Sequence, residues 1–117
     1  MITYQCSYFG TEQGRYPVEE FIDNIDEGAQ RKFVYKRSML EYLGPRLMEP
    51  HAKNLGAGIF ELRFSGRDSD FRVLYFFDGN KVIFTNAFKK KTQKTPRAEV
   101  ELAAGRRRLY LSSKALP

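Results

Sequence analysis

The spacing of apolar residues changes period several times along the 117 residues, and each change marks a predicted element. Residues 2–9 alternate loosely, with Ile2, Tyr4, Cys6 and Tyr8 on one side, which predicts a first strand with Cys6 as a small buried thiol. The stretch from Gly10 to Gly14 is polar and turn-like. Pro17 stands where a first helical residue is tolerated, and Glu19 and Glu20 suit a helix N-terminus. Val18, Phe21, Ile22 and Ile25 then recur at helical spacing and define one apolar face. Asp26 can cap a second helix over about 27–43, whose inner stripe is Ala29, Phe33, Leu40 and Leu43. Arg31, Lys32, Lys36, Arg37 and Glu41 fall mostly on its wet side, and Gly44-Pro45 ends it. With almost no linker between them, the two helices form a hairpin, and their stripes need a sheet to lie on.

The second half supplies that sheet. Residues 47–58 read as a connector carrying Pro50, His51 and Lys53. From 59 to 65, Phe60, Leu62 and Phe64 face one way and Glu61 and Arg63 the other, which predicts a strand. A polar turn over 65–70 leads to residues 71–77. These are apolar throughout except for Arg72, as expected of a central strand covered on both faces. Asp78-Gly79-Asn80 is a hairpin turn, and 81–88 is the next strand. Thr95 can cap a final helix with Pro96 at its first position; Glu99 and Glu101 come early and Arg106, Arg107 and Arg108 late, matching the helix dipole. Gly105 weakens that helix and permits a bend. A strand, two helices, three antiparallel strands and a helix make an α+β domain with about four strands.

Composition narrows the class. A content of 42% hydrophobic and 15% aromatic residues is that of a globular chain, and the length suits one domain over residues 1–117. No apolar run approaches the roughly 20 residues that span a bilayer, and the N-terminus lacks the basic and apolar regions of a secretory signal. A lone cysteine forms no internal disulfide, so a cytoplasmic protein without a membrane partner is expected. The net charge of +6 is unevenly spread. Residues 1–78 hold ten Lys/Arg against twelve Asp/Glu, whereas 79–117 hold ten against two. Such a surface suits a polyanion, either nucleic acid or an acidic protein.

Four motifs in order carry a resemblance: Lys53-Asn54-Leu55; Gly58-Ile59-Phe60-Glu61-Leu62-Arg63; Phe71-Arg72-Val73-Leu74-Tyr75-Phe76; and Phe88-Lys89-Lys90-Lys91-Thr92 with Pro96 and Glu99 downstream. Together they resemble the phage-derived Gp49-like HigB toxins of the RelE/ParE superfamily. The C-terminal half matches closely and the helical half as a pattern. The resemblance implies a RelE-like fold, a twisted antiparallel sheet with helices packed on one face. It implies the toxin of a type II toxin-antitoxin pair, an endoribonuclease that cuts messenger RNA, usually at the ribosome. It further implies a cognate helix-turn-helix antitoxin, with operator DNA bound only through the complex.

Metal-free RNA cleavage needs the 2′-hydroxyl to attack the adjacent phosphate, with a base, an acid and cations for the phosphorane. No metal or other cofactor is expected: His51 and Cys6 are the only residues of their kinds, and no carboxylates have ligand spacing. Arg63 and Arg72 are the candidates for holding the scissile phosphate, because the guanidinium fork binds phosphate bidentately. The alternative is a cross-strand ion pair with Glu61 or Asp70. Lys89 and Lys90 are the other catalytic candidates, one of them handling a proton; alternation lets at most two of Lys89, Lys90 and Lys91 share a face, and an ordinary solvated run is the alternative. Lys53, Phe88, Lys91, Lys94, Arg106 and Arg107 are candidate RNA contacts, Phe88 as a platform for a base. His51 could be an acid or base, though a lone loop histidine is more often incidental. Tyr75 reads as a core tyrosine. Two other readings stay open: a gyrase-poisoning toxin of the ParE branch, against which Arg63, Arg72 and the lysine run argue, and a non-catalytic nucleic-acid-binding or phage structural protein.

Overall fold

The computed structural model describes residues 3–115. Strand β1 (Gln5–Tyr8) precedes helices α1 (Pro17–Asp23) and α2 (Glu27–Leu43), and a single 3-10 turn (Gly44–Arg46) follows. Strands β2 (Ala52–Gly56), β3 (Ile59–Ser65), β4 (Asp70–Asp78) and β5 (Lys81–Lys89) come next, and helix α3 (Arg97–Ala115) closes the order. Ile2, expected on the first strand, lies outside the described residues. The helical half follows its sequence signals closely. Pro17 opens α1, and the Asp26 side chain accepts from the Ala29 N–H at 3.0 Å, satisfying an amide that the helix cannot. Gly44 ends α2 with φ +55°, and a Cβ there would run into the Tyr4 ring, so two constraints select glycine.

The sheet has five strands, one more than expected, in the order β1-β5-β4-β3-β2. The extra strand, β2, comes from the predicted connector: Ala52, Lys53 and Asn54 pair antiparallel with Leu62, Glu61 and Phe60. The sheet is also not wholly antiparallel, because β1 runs parallel to β5 in the register Gln5 to Lys81 and Tyr8 to Phe84. A bulge at Thr85 shifts the β4–β5 register between Leu74 and Tyr75.

The helices divide between the two faces instead of sharing one. The hairpin of α1 and α2 covers Leu62, Phe64, Phe71, Val73, Tyr75, Val82 and Phe84, with Phe33 wedged 5.6 Å from the Phe64 ring and 5.4 Å from Phe84. Tyr75 is a core tyrosine, as expected, and burial pushes its hydroxyl pKa up. On the other face Ala103 and Tyr110 of α3 pack on Leu74, Phe76, Ile83 and Ile59. This accounts for the unbroken apolar run of β4: alternate residues serve two cores. Cys6 is half-buried against the hairpin side. The α3 helix runs unbroken through Gly105. No helix among the described residues is long and apolar enough to cross a membrane.

Candidate active site

Strand alternation and register bring the motif residues to one place. Arg63 pairs with Arg72, and Arg72 pairs with Phe88 on the next strand. The three form a row across β3, β4 and β5 on the α3 side of the sheet, one step beyond the row Lys53, Glu61, Leu74 and Asn86. Lys90 donates its backbone N–H to the Asp70 carbonyl at 2.8 Å, so it continues β5 next to this row and in step with Phe88. Lys89 pairs with Phe71 and belongs to the opposite side of the pleat, exposed at the end of its strand. Lys53, Lys91 and Lys94 are exposed; Lys94 sits in the turn after β5, its carbonyl bonded to the Thr92 hydroxyl.

Glu61 organises the arginines. It is only 2% exposed, its Oε2 accepts from Arg63 Nε at 2.9 Å, and Arg72 Nε lies 3.8 Å away. The cross-strand pairing foreseen as the alternative for these arginines therefore exists, with Glu61 as its partner. It leaves both charges in the site. Arg63 retains about a quarter of its side-chain surface, meets the exposed Glu49 through Nη1 at 3.4 Å, and has Nη2 free of protein partners among the described residues. Arg72 lies deeper, at 8% exposure, with Nη1 donating to its neighbour's carbonyl, Phe71 O, at 2.9 Å. Burial, reinforced by Arg63, lowers the Arg72 pKa against the pull of Glu61 and Asp70, yet a guanidinium stays protonated.

Thr95 does not cap α3 as expected. Glu99 and Val100 donate to the Pro96 carbonyl, so the helix starts one residue later, and the Thr95 hydroxyl donates instead to Glu61 Oε1. Asn86 Nδ2 in turn donates to the Glu99 carbonyl and carboxylate at 3.2 and 3.0 Å. The start of α3 is thus tied to the carboxylate that holds the arginines. Arg106 and Arg107 are not brought to this row. They lie about 14 Å further along the helix by its rise. There Arg106 donates to the Thr85 carbonyl at 2.8 Å and stands over the Phe9 ring, and Arg107 stands over Phe76.

A contact missed from sequence joins the hairpin to the sheet edge. Lys36 Nζ lies 2.8 Å from His51 Nδ1, and the His51 carbonyl accepts the Arg63 N–H at 2.9 Å. Burial and then the neighbouring ammonium of Lys36 hold the His51 pKa below its ordinary value; burial and then Lys32 lower that of Lys36. Helical periodicity put Lys36 on a solvated face, and nothing in the sequence shows that a connector histidine crosses it. Among the described residues no group of three His, Cys, Asp or Glu side chains could hold a metal ion.

Residues 20–108 match the family described as "Phage derived protein Gp49-like (DUF891)". The chain is also 30% identical over 97 residues to "Probable endoribonuclease HigB1" of Mycobacterium tuberculosis strain CDC 1551 / Oshkosh, and equally to that of strain ATCC 25618 / H37Rv. The matched part is 83% of this chain and 76% of each relative. The matched span includes the whole arginine row, Glu61, Lys90 and the start of α3, and the chain belongs to the Gp49-like HigB toxin family.

Proposed function

We propose that this protein is a metal-independent endoribonuclease toxin that cuts messenger RNA across the Arg63–Arg72–Phe88 row. The observation that carries the reading is that row itself: two guanidiniums on adjacent strands, oriented by one buried carboxylate, beside an aromatic ring and Lys90. Arg63, the open member, binds the scissile phosphate, and Arg72 beneath it adds positive charge where low polarity strengthens the field. Phe88 offers its ring to a base. The 2′-oxygen attacks phosphorus and the P–O5′ bond breaks, leaving a 2′,3′-cyclic phosphate and a 5′-hydroxyl. The proton leaving the 2′-hydroxyl passes by way of Lys90 to O5′, so the proton count closes. Lys53, Lys89, Lys91 and Lys94 draw RNA to the face by charge, and Arg106 and Arg107 act through their hold on α3.

In the same reading the protein works in the cytoplasm at the ribosome. A cognate helix-turn-helix antitoxin silences it, and operator DNA is met only through that complex. Induced expression followed by primer extension on a reporter transcript tests this. Discrete cuts inside codons, lost with Arg63→Ala while the circular dichroism spectrum is kept, are expected. Changed DNA supercoiling without cuts would replace the reading with gyrase poisoning. RNA binding without cuts would make the protein a non-catalytic binder.

A further inference from the structure

Beyond the arginine row, the edge of β3 opens into a groove of about 560 Å³ against α2. It exists because β2 begins only at Ala52, so the end of β3 from Arg63 to Ser65 has no strand outside it. Helix α2 forms the facing wall with Lys32, Tyr35 and Lys36, and His51 stands at the mouth, bonded to Arg63 through the backbone and to Lys36 through the ring. Arg63 and Arg72 line the groove as well, so it is continuous with the row.

Three features suit it to one ligand chemistry. Its walls carry four cations, Lys32, Lys36, Arg63 and Arg72, the two arginines also paired with Glu61, and one lining carboxylate, Asp70, which is engaged by the Ser65 hydroxyl at 2.6 Å. Tyr35 is 62% exposed, a large ring left in water beside those cations. The Lys36 ammonium donates to His51 Nδ1, which fixes the imidazole as the neutral tautomer with Nε2–H as a free donor. Cations, an unpaired aromatic face and a fixed neutral donor are what a single-stranded nucleotide meets: phosphate on charge, base on ring, an oxygen on the N–H.

We infer that this groove is a second RNA subsite, binding the nucleotide one step beyond the two joined by the scissile phosphate, with Lys36 and Lys32 on its phosphate, Tyr35 against its base, and His51 as a hydrogen-bond donor. The inference rests on the ribonuclease reading and extends it. None of these four residues takes part in bond breaking; they lengthen the track that Arg63 begins. An acidic segment of a protein partner would meet the same cations but would have no use for the ring and the neutral donor together.

The test uses the full-length protein and 2′-O-methyl RNA, which cannot be cleaved, in two lengths: a dinucleotide spanning the scissile position and a hexanucleotide. Lys36→Gln and Tyr35→Ala are compared with Tyr42→Ala, an exposed tyrosine on α2 outside the groove. For the hexanucleotide, Tyr35→Ala is expected to raise Kd roughly five- to a hundred-fold. Lys36→Gln should make the dependence of log K on log salt shallower by about 0.7, one phosphate's share. The dinucleotide should be bound alike by all variants, and in cleavage KM should rise with kcat kept. Unchanged hexanucleotide affinity and salt slope in both variants would overturn the subsite, as would loss of antitoxin binding alone, which would make the groove a protein-docking site. Failure of the wild type to bind or cut either RNA would instead overturn the ribonuclease reading beneath it.

Discussion

Glu61 permits a sharp test of what holds the site together. At 2% exposure it faces Arg72 at 8%, and it also accepts from Arg63 and Thr95. Glu61→Leu removes the only carboxylate paired with Arg72 among the described residues and strands a buried guanidinium. Breaking one side of such a pair costs about 3–5 kcal/mol, and the half-buried Thr95 hydroxyl loses its acceptor as well. For a chain of this size that is a fall in Tm of roughly 12–20 °C. Arg63 mitigates little, because it is open enough to turn toward water or Glu49. Arg72→Met alone should cost a similar amount by leaving Glu61 buried and less well paired. The double variant Glu61→Leu/Arg72→Met, which replaces ions by packed carbon, should recover to within about 1 kcal/mol of wild type or exceed it. Urea denaturation of the four proteins gives the coupling free energy directly. Additive costs, with coupling below about 0.5 kcal/mol, would refute the claim that these charges are held mainly by each other. On the proposed function, the double variant should remain harmless when expressed, because regained stability does not restore the Arg72 charge beside Arg63.

Three further outcomes are expected. Phe33→Ala, which empties the space between the Phe64 and Phe84 rings, should cost about 3–5 kcal/mol in thermal or urea melts, and a loss under 1 kcal/mol would mean that the hairpin does not depend on this wedge. The Asp78 pKa is held below 3.8 by hydrogen bonds from Lys114 and Tyr110, so its contribution is complete above that value and fades as pH falls through the lowered pKa. Asp78→Asn should therefore lower Tm at pH 7 and make no difference at strongly acid pH; an equal loss at both ends would reject the ion pair as the cause. Burial, followed by Glu41, pushes the Cys6 thiol from 9.0 to about 12, so near neutral pH iodoacetamide should modify the native protein about a thousand-fold more slowly than the unfolded chain. Equal rates by mass spectrometry would show the thiol to be open.

Much of the fold was legible because it is local. The bounds of β3 follow from strict alternation in Ile59–Ser65, and the start of α2 from one carboxylate at Asp26. Strand β2 escaped notice because Ala52, Lys53, Asn54, Leu55 and Gly56 have little strand preference of their own; its existence comes from pairing with β3. The placement of α3 was half legible: the apolar run from Val73 to Phe77 in β4 requires cover on two sides, but the sequence alone does not say which helix lies on which. The site divides in the same way. Arg63 and Arg72 were found by motif, and their meeting by register. The role of Glu61 as shared partner, the diversion of Thr95 from capping, and the Lys36–His51 contact depend on distances across the fold that no spacing along the chain encodes.

The parallel pairing of the first strand with the last sets an order of events during synthesis. Gln5 waits for Lys81, and Tyr8 for Phe84, so the opening segment leaves the ribosome long before its neighbour has been made. Until then its amides face solvent and Tyr4, Cys6 and Tyr8 have no completed core to enter. A nascent chain halted before residue 81 would carry both helices yet lack the sheet's middle connection, and would be as harmless to its host as it is unfinished.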